Sequence, residues 1–353
     1  MIASIVGELC GDQRFAFAVV TDTPEVWSAM DRVRCVPADH GPGGWNPWQR
    51  LVWEQGHLRR VIRAARPDVY WAPWNCGLPW PCAVPSVLTV HDVIPLRHRG
   101  EFGSRLWRWS YRLGLGLSLR AATRIVAVSE ATRQDLAARC GVDPARVTVV
   151  RHGVEPRFSP QARPDDAGFG LTGRVVLYVG GCEPRKNLAT LLAAFDRLAD
   201  HPRLGDVTLA LTGERERLDP RAAEVLATMR HADRVQLLGY VPDERLPELY
   251  RRASVFAFPT LEEGFGFPPL EALACGVPVV ASGVDSLPEV VGQAATLVDP
   301  ASVEAVAAAI TDVLTDPRRA AEMSRRGPEQ AARFSWPEAA RAMAAIFVEC
   351  AGR

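Results

Sequence analysis

Short runs of β-branched and aliphatic residues alternate with helical patterns along most of the chain, and this alternation is the strongest constraint on the fold. The runs predict strands at residues 15–20, 33–36, 69–72, 87–90, 125–128, 147–150, 175–179, 207–211, 235–238, 255–258 and 277–280. Many of these strands are apolar on both faces, as parallel strands must be when helices cover both sides of a sheet. The pattern therefore predicts an α/β protein with doubly wound sheets.

The alternation is interrupted once, by residues 151–173, which are rich in Pro, Gly, Asp and Arg and have no apolar period. Such a stretch is typical of an inter-domain linker. A chain of 353 residues is long enough for two domains. We expect one domain over residues 1–155 and a second over 170–335, with a ligand site in the cleft between them. The predicted helix 336–353 follows no strand and is expected to pack back on the first domain.

The beginning of the chain departs from this pattern. Ile2, Ile5, Val6 and Leu9 lie on one face of a predicted helix, and no strand precedes it. The first domain is therefore predicted to have no strand ahead of its first helix.

Charge and cysteine content limit the classes of function. Lys plus Arg and Asp plus Glu are both 41, so no overall positive charge is present to attract nucleic acid. The eight cysteines are scattered without a zinc-ligand spacing and are typical of a reducing compartment. Neither a signal peptide nor an apolar run long enough to span a membrane is visible. These features predict a soluble cytoplasmic protein.

Residues 256–271, with the sequence FAFPTLEEGFGFPPLE, are the most informative segment. A strand is predicted to end at Pro259, and Pro268 and Pro269 are suited to the first turn of a helix. The glycines allow close approach of the backbone to a ligand, and the free N–H groups at the start of a helix attract anions and hydroxyl groups. Two carboxylates, Glu263 and Glu271, bracket this loop. The segment therefore predicts a ligand-binding loop.

Two further clusters follow predicted strands. In the sequence GGCEPRKN at residues 180–187, a diglycine precedes Arg185 and Lys186, which are suited to binding phosphate oxygens. His91 stands at the carboxyl end of the strand 87–90, where open α/β sheets bind their ligands. We expect a diphosphate site at the first cluster and a ligand contact at His91.

These motifs together resemble glycosyltransferase family 4, a large family of retaining enzymes. The E-x7-E pattern of Glu263 and Glu271, with GFGFPPL between them, is similar to that family. Similar motifs occur in the same order at HDVIPL (91–96), VSEAT (128–132), GGCEPRKN (180–187), LGYVPD (238–243) and PVVAS (278–282). The resemblance runs from about residue 60 to the C-terminus. It implies the GT-B fold, in which two Rossmann-like domains face a central cleft and the last helix returns to the first domain.

The resemblance also implies a role for each matching residue. Arg185 and Lys186 would neutralise the donor diphosphate, Glu263 would contact the transferred sugar, and His91 would touch that sugar from the opposite domain. These four are the expected catalytic residues. The expected donor-binding residues would have three roles. Glu271 would contact the ribose, and Val241 would contact the base through its backbone. The sugar and the phosphate would be bound by amides, or by close approach of the backbone, at Gly181, Phe265, Gly266 and Phe267.

The implied reaction moves a hexosyl group from a nucleotide sugar to a sugar or lipid-linked acceptor with retained configuration. The motif HDVIPL resembles bacterial mannosyl- and related hexosyltransferases of polysaccharide or natural-product pathways. Enzymes that hold a divalent ion against a diphosphate often use paired carboxylates, but no Asp-x-Asp occurs in this chain. Because Arg185 and Lys186 can supply the positive charge, we expect no metal and no other cofactor.

Two other functions remain open at this point. One is a two-domain sugar-nucleotide epimerase of similar fold, which would release free nucleotide without an acceptor. The other is a degenerate nucleotide-sugar-binding partner subunit. It is suggested by the N-terminus, because family members usually open with a strand and a glycine-rich loop. Either the chain starts downstream of the true start, or the protein lacks this element.

The first domain, which would bind the acceptor, has a second unusual feature. Seven arginines (97, 99, 105, 108, 112, 120 and 124) stand against one acid, Glu101, with Trp107, Trp109 and Tyr111 among them. A basic aromatic helix can lie on an anionic membrane or face a polyprenyl-diphosphate acceptor. It can equally be a solvated helix whose aromatic residues pack in the core. The tryptophans at 45, 48, 53, 71, 74 and 80 either line an acceptor pocket or are packing residues.

Overall fold

The computed structural model describes residues 1–38, 47–97, 104–161 and 168–352. Within it the chain forms two compact units. Unit 1 comprises Met1–Gly153 and Ser335–Arg353, and unit 2 comprises Val154–Phe334. Each unit is an α/β structure built on parallel strands.

Unit 1 contains six of the strands and the helices that flank them. Its strands are β1 (Phe17–Thr21), β2 (Val33–Pro37), β3 (Tyr70–Ala72), β4 (Ser86–Val90), β5 (Arg124–Ala127) and β6 (Val147–Val149). Its helices are α1 (Ile2–Cys10), α2 (Pro47–Trp53), α3 (Arg59–Ala65), α4 (Ile94–Arg97), α5 (Arg105–Ala121) and α6 (Glu130–Cys140), and the last helix of the chain, α14 (Trp336–Ala351). A π-helical turn, Glu54–Leu58, joins α2 to α3.

The strands of unit 1 form two separate parallel sheets. One has the order β3-β4-β5-β6, and the other consists of β1 and β2 alone. β4 is buried along its whole length, and its Leu88 belongs to the same core cluster as Ile125 and Leu136. In the described part of the chain, β1 and β3 each have a strand partner on one side only.

Unit 2 contains a single six-stranded parallel sheet of order β12-β11-β10-β7-β8-β9. The strands are β7 (Arg174–Tyr178), β8 (Val207–Leu211), β9 (Val235–Leu237), β10 (Val255–Phe258), β11 (Val279–Ser282) and β12 (Ala295–Val298). The helices are α7 (Leu188–Leu198), α8 (Pro220–Thr228), α9 (Leu246–Arg252), α10 (Phe267–Ala274), α11 (Leu287–Val291), α12 (Val303–Thr315) and α13 (Pro317–Ala331). The order reverses at β7 and β10, so these two strands bracket the expected ligand edge.

The predicted strands are confirmed, each within about two residues of its observed bounds. β12 was missed because it lies at a sheet edge, where its side chains are partly exposed, and Thr296 interrupts its apolar run. The predicted linker ends within unit 2, where Arg157 Nη1 donates to the Asp243 carbonyl at 2.7 Å. Residues 162–167 of that linker lie outside the described residues.

The last helix packs within unit 1, as expected for the C-terminal helix of this fold. The aromatic ring of Phe347 lies 5.5 Å from that of Trp71 and 6.4 Å from that of Phe15, measured between ring centroids. An ion pair between Arg124 and Glu349 adds a contact to the four-stranded sheet. None of the helices in the described ranges is long and apolar enough to cross a membrane.

Candidate functional site

A diglycine loop follows β7 in unit 2. The Gly180 N–H donates to Thr212 Oγ1 at 3.0 Å, and the buried Tyr178 hydroxyl donates to the Gly181 carbonyl at 2.7 Å. A side chain at position 180 would meet the Tyr178 hydroxyl at 2.6 Å, so a glycine is needed there. The loop is therefore held by its neighbours while its backbone stays accessible to a ligand.

The two predicted phosphate-binding cations lie in the short 3-10 turn Pro184–Lys186, which leads into α7. Asn187 ends this turn in the left-handed region, at φ 59°. Its side-chain amide donates to the carbonyls of Pro259 and Pro300 at 2.9 and 2.8 Å. These contacts tie the cation turn to the segment that follows β10.

Lys186 and Glu263 form a direct ion pair, with 2.7 Å between Nζ and Oε2. The two side chains are 9% and 15% exposed, and the ammonium group lies 5.1 Å from the ring centroid of Phe258. An ion pair this buried is screened weakly, and each charge holds the other in position. These two residues are 77 positions apart in the sequence, and the fold brings their side chains together.

Arg185 is held by its backbone and leaves its side chain available. Its carbonyl accepts hydrogen bonds from Thr260 Oγ1 at 2.9 Å and from the Leu261 N–H at 2.8 Å. Within the described ranges no group accepts a hydrogen bond from the guanidinium, which is half-buried. A cation positioned by main-chain contacts is ready to bind an anion.

The loop between Glu263 and α10 has the predicted strand–loop–helix form. Gly266 precedes α10 with φ 103°, and a side chain there would meet Leu287 Cδ2 at 2.6 Å. The Ser286 hydroxyl lies within hydrogen-bond distance of the carbonyls of Glu263 (3.0 Å) and Phe265 (2.9 Å). The loop is therefore fixed on its inner side. Binding of a donor by the amides of Phe265, Gly266 and Phe267 stays a prediction.

Glu271 lies on α10, half-buried against a buried tyrosine. The Tyr250 hydroxyl donates to Glu271 Oε2 at 2.8 Å. Burial raises the pKa of Glu271 to about 7, although the bond from Tyr250 and the charge of Arg157 lower that pKa. The remaining oxygen, Oε1, has no donor among the residues that the structure describes. The carboxylate can therefore accept a hydrogen bond from a ligand hydroxyl.

A cavity of about 770 Å³ opens beside the diglycine loop. Gly181, Thr212 and Val241 line it, together with Asp243. Asp243 also raises the pKa of Glu271, but Glu271 itself is not part of the lining of this cavity. The volume is within the range of small-molecule sites. Two predicted donor-binding residues, Gly181 and Val241, thus share one pocket.

His91 lies in unit 1, at the carboxyl end of β4. Its Nε2 is 2.8 Å from the Pro73 carbonyl, which can only accept, so Nε2 carries the proton. Its Nδ1 is 3.3 Å from His152 Nε2 and accepts from it. The ring also packs 4.9 Å from that of Trp74. Burial lowers the pKa of both histidines, so both are neutral near pH 7.

Contact of His91 with a sugar stays a prediction, but the geometry restricts its form. Both ring nitrogens have protein partners, so a ligand reaches this residue through its ring carbons or through the adjacent Trp74. His152 and Pro73 were not predicted. They lie 61 and 18 positions from His91, and no local pattern links them.

The structure joins Lys186 with Glu263, and Gly181 with Val241, within unit 2. Sequence reasoning missed Thr212, Tyr250 and Tyr178, which are hydrogen-bonded to Gly180, Glu271 and Gly181, respectively. The two partners of each hydrogen bond are 32, 21 and three positions apart in the sequence. The spacing Tyr178-x-x-Gly181 is local and could have been found. In the described part of the chain, no three His, Cys, Asp or Glu side chains are grouped as metal ligands.

Two family models match the chain. Residues 162–330 match the model described as glycosyl transferases group 1, and residues 12–158 match the model described as glycosyltransferase family 4. The chain is 37% identical over 288 residues to the O-antigen chain mannosyltransferase B of Escherichia coli, covering 79% of this chain and 74% of that protein. It is 30% identical over 267 residues to the serotype-specific mannosyltransferase WbdA of Escherichia coli, of which it spans 32%.

Solved structures give the same fold. Anabaena Alr3699/HepE in complex with UDP and glucose superposes with a TM-score of 0.76 at 18% identity, over 98% of this chain and 95% of that one. The GT-B fold expected from the motifs is therefore confirmed.

Proposed function

This chain is a member of the group 1 glycosyl transferases, with a family 4 domain over residues 12–158, and we propose that it transfers a hexosyl group from a nucleotide sugar. The proposed acceptor is a glycan, a lipid-linked molecule or a natural product. We also propose that the transferred sugar keeps its anomeric configuration. The observation that carries this proposal is the cation turn. Arg185 has an available guanidinium, and Lys186 is fixed by Glu263, beside a diglycine loop and a cavity of about 770 Å³. We propose a GDP-mannose-like or UDP-sugar donor. Mannosyltransferases among the relatives favour mannose as the transferred sugar.

The proposed mechanism rests on charge that develops during the reaction. Breaking the anomeric C–O bond leaves negative charge on the diphosphate, and fixed cations stabilise that charge most in the transition state. Arg185 and Lys186 would supply these cations. Glu263 is a poor candidate for a covalent nucleophile, because its carboxylate is tied to Lys186 at 2.7 Å. We therefore propose that the acceptor hydroxyl attacks the anomeric carbon on the face from which the diphosphate leaves and passes its proton to that diphosphate, with Glu263 as a sugar contact.

Donor screening tests the proposal. We expect one of GDP-mannose, UDP-glucose and UDP-N-acetylglucosamine to raise the melting temperature, because ligand at 100 times Kd adds about 2.7 kcal/mol to the free energy of unfolding. Transfer from that donor to an acceptor should give a product whose anomeric configuration, read by NMR, equals that of the donor. An inverted product contradicts retention. Release of free nucleotide with epimerised sugar and without acceptor would instead favour an epimerase, and binding without turnover a partner subunit.

Metal-independent transfer is a separate prediction. Because Arg185 and Lys186 would supply the positive charge that a divalent ion otherwise brings to a diphosphate, we expect the rate to change less than twofold after EDTA treatment. The measurement is the initial rate with and without EDTA, and again after addition of Mn²⁺. Loss of activity that Mn²⁺ restores would contradict the prediction.

Peripheral membrane association is also proposed, from the surface of α5. Leu106, Trp109 and Leu113 are 58%, 73% and 43% exposed, and their spacing puts them on one helix face. Arg105 and Arg112 are exposed on the same helix. An apolar stripe flanked by arginines suits the interface of an anionic bilayer. We propose that the enzyme works in the cytoplasm, at the inner face of the membrane.

The rest of this basic region has other contacts. Trp107 stacks on Tyr111, so these two aromatic residues are packed and Trp109 is not. Arg97 and Arg124 are in ion pairs with Asp135 and Glu349. Arg99, Glu101 and Trp45 lie outside the described residues.

Vesicle flotation tests the membrane proposal. We expect the protein to float with vesicles containing phosphatidylglycerol and to remain in solution with phosphatidylcholine vesicles. The triple variant L106A/W109A/L113A should lose most of this binding, because it removes the apolar stripe. Val348→Ala, which truncates an apolar residue that is 49% exposed on α14, is the control and should bind as the wild type does. Equal flotation of the triple variant would contradict the assignment of this face.

A further inference from the structure

Arg157 lies in the segment that enters unit 2, three positions after Val154. It belongs to the predicted linker, and no motif gives it a role. Its side chain is only 26% exposed. Because a buried guanidinium loses its water, the groups that replace that water decide what the residue does. Its neighbours Glu155, Phe158 and Asp243 all lie within unit 2.

The guanidinium of Arg157 is oriented by three contacts. Its Nη1 donates to the Asp243 carbonyl at 2.7 Å, and its Nε forms an ion pair with Glu155 Oε2 at 2.7 Å. The central carbon lies 5.0 Å from the ring centroid of Phe158. Hydrogen bonds from a charged donor are shorter and about twice as strong as neutral ones. The Asp243 carbonyl is therefore held by a charged group whose own position is fixed.

Residues 239–243, the wall segment, supply part of the lining of the cavity of about 770 Å³. At the start of the segment, the Gly213 N–H donates to the Gly239 carbonyl at 2.8 Å. At its end, the last carbonyl accepts from Arg157. Between these two hydrogen bonds lies Val241, whose backbone is expected to contact the base of the donor. Loss of the bond from Arg157 would therefore free one end of this wall of the cavity.

A second set of contacts connects Arg157 with Glu271. Phe158, beside the guanidinium, packs edge-on against the ring of Tyr250, with 5.9 Å between the two centroids. The Tyr250 hydroxyl donates to Glu271 Oε2 at 2.8 Å. The same arginine therefore adjoins the wall segment and the packing that holds Glu271.

The ionisation of Glu271 depends on the charges around it. Burial has the largest effect and raises its pKa, and the negative charges of Asp243 and Glu155 raise it further. The hydrogen bond from Tyr250 and the positive charge of Arg157 lower it. Because this pKa is about 7, a change in nearby charge alters the fraction of Glu271 that is ionised at neutral pH. Arg157 thus favours the carboxylate form, which accepts hydrogen bonds.

We propose that Arg157 is a positioning residue of the donor site, which fixes the wall segment through the Asp243 carbonyl and places a positive charge near Glu271. The proposal rests on the proposed function in one respect, because donor binding in this cavity is part of that function. The hydrogen bond to the wall segment and the charge near Glu271 are properties of the protein without ligand. They can therefore be tested in the absence of any donor.

Two substitutions at this position separate charge from packing, and a third is the matched control. Arg157→Met removes the charge and the donors but keeps an unbranched side chain that can pack on Phe158. Arg157→Lys keeps the charge. Arg252→Met removes another arginine of unit 2, whose Nη2 donates to the Leu171 carbonyl at 2.7 Å and which does not line the cavity. The control therefore loses a comparable hydrogen bond to the main chain elsewhere in the same unit.

Two NMR measurements on the protein without ligand test the role of Arg157. The carboxyl ¹³C shift gives the titration of Glu271, and E271Q identifies its signal. Arg157→Met should raise this pKa by about 0.5 or more, because a stabilising positive charge is lost. Arg157→Lys and Arg252→Met should keep the wild-type midpoint. The amide order parameter of Val241 should fall in Arg157→Met from about 0.85 towards about 0.6, and should not change in Arg252→Met.

Donor affinity is then measured by calorimetry with GDP-mannose and UDP-glucose at pH 7. Arg157→Met should weaken binding about fivefold or more, because a charged hydrogen bond that fixes the cavity wall is lost. In the transfer assay the donor KM should rise to the same extent while kcat changes less than about twofold, as expected for a loss of binding common to the ground state and the transition state. Arg157→Lys should bind the donor more tightly than Arg157→Met does, and Arg252→Met should bind it as the wild type does.

Three results would overturn the proposal. The first is a wild-type Glu271 midpoint together with a rigid wall segment in Arg157→Met. The second is an equal set of changes in Arg252→Met, which would show a general loss of stability. The third is unchanged donor affinity in Arg157→Met. A wild type that binds neither nucleotide sugar contradicts the proposed function instead, and the two measurements without ligand still decide the role of Arg157.

Discussion

Replacement of Arg185 by alanine is expected to lower kcat/KM by about 10²–10³-fold, because loss of one preorganised donor to developing charge typically has this effect. The fold should be unchanged, since the turn is held by hydrogen bonds to the Arg185 carbonyl and by the Asn187 side chain. Initial rates with a nucleotide-sugar donor and the melting temperature are the two measurements.

A matched control is available on the neighbouring helix. Arg197 on α7 is 62% exposed and is paired with Glu304, so Arg197→Ala removes an arginine without touching the cation turn. Its kcat/KM should stay within twofold of the wild type. Near-wild-type turnover by Arg185→Ala would show that the diphosphate binds elsewhere.

Replacement of Glu271 by alanine or glutamine is expected to lower kcat/KM by about 10²-fold, mainly through the donor KM, because hydrogen bonds to a charged group contribute about 1.5–3 kcal/mol. The pH dependence distinguishes this role from simple packing. Since the pKa of Glu271 is raised to about 7, donor affinity should rise as pH increases through that value and the carboxylate forms. Donor affinity measured by calorimetry from pH 5.5 to 8.5 checks this.

Stability without ligand should follow the opposite trend. A raised pKa in the folded state means that this group stabilises the fold most below about pH 4.5 and loses that contribution as pH rises through about 7, by at most about 3 kcal/mol. Glu271→Gln should remove this slope. Glu248→Gln, which alters a buried acid held by Arg245, is the control and should keep it. A donor affinity of E271Q that rises with pH as in the wild type would contradict the assignment.

The fold could be predicted because the patterns that indicate its strands and loops each lie within a short stretch of sequence. Runs such as residues 175–179 and 255–258 are continuous and apolar, and this is sufficient to identify a strand buried on both faces. The loop from Glu263 to Glu271 was predictable for the same reason, since its glycines and prolines stand next to each other in sequence. The short edge strand Ala295–Val298 lacked this signal because half of its surface is exposed.

The supporting contacts could not be predicted, because each joins residues far apart in sequence. The bond from Tyr250 to Glu271 and the pairing of His91 with His152 depend on how helices and loops pack on the sheets. The π-helical turn Glu54–Leu58 could not be predicted either. A π-helical turn has no pattern that separates it from an α-helix in a single sequence.

The separation of β1 and β2 from the larger sheet has a consequence for local unfolding. Two strands alone are marginally stable, whereas β4 and β5 each have partners on both sides. Opening of the β1–β2 pair should therefore require less free energy than opening of the four-stranded sheet, and its amides should exchange with deuterium sooner.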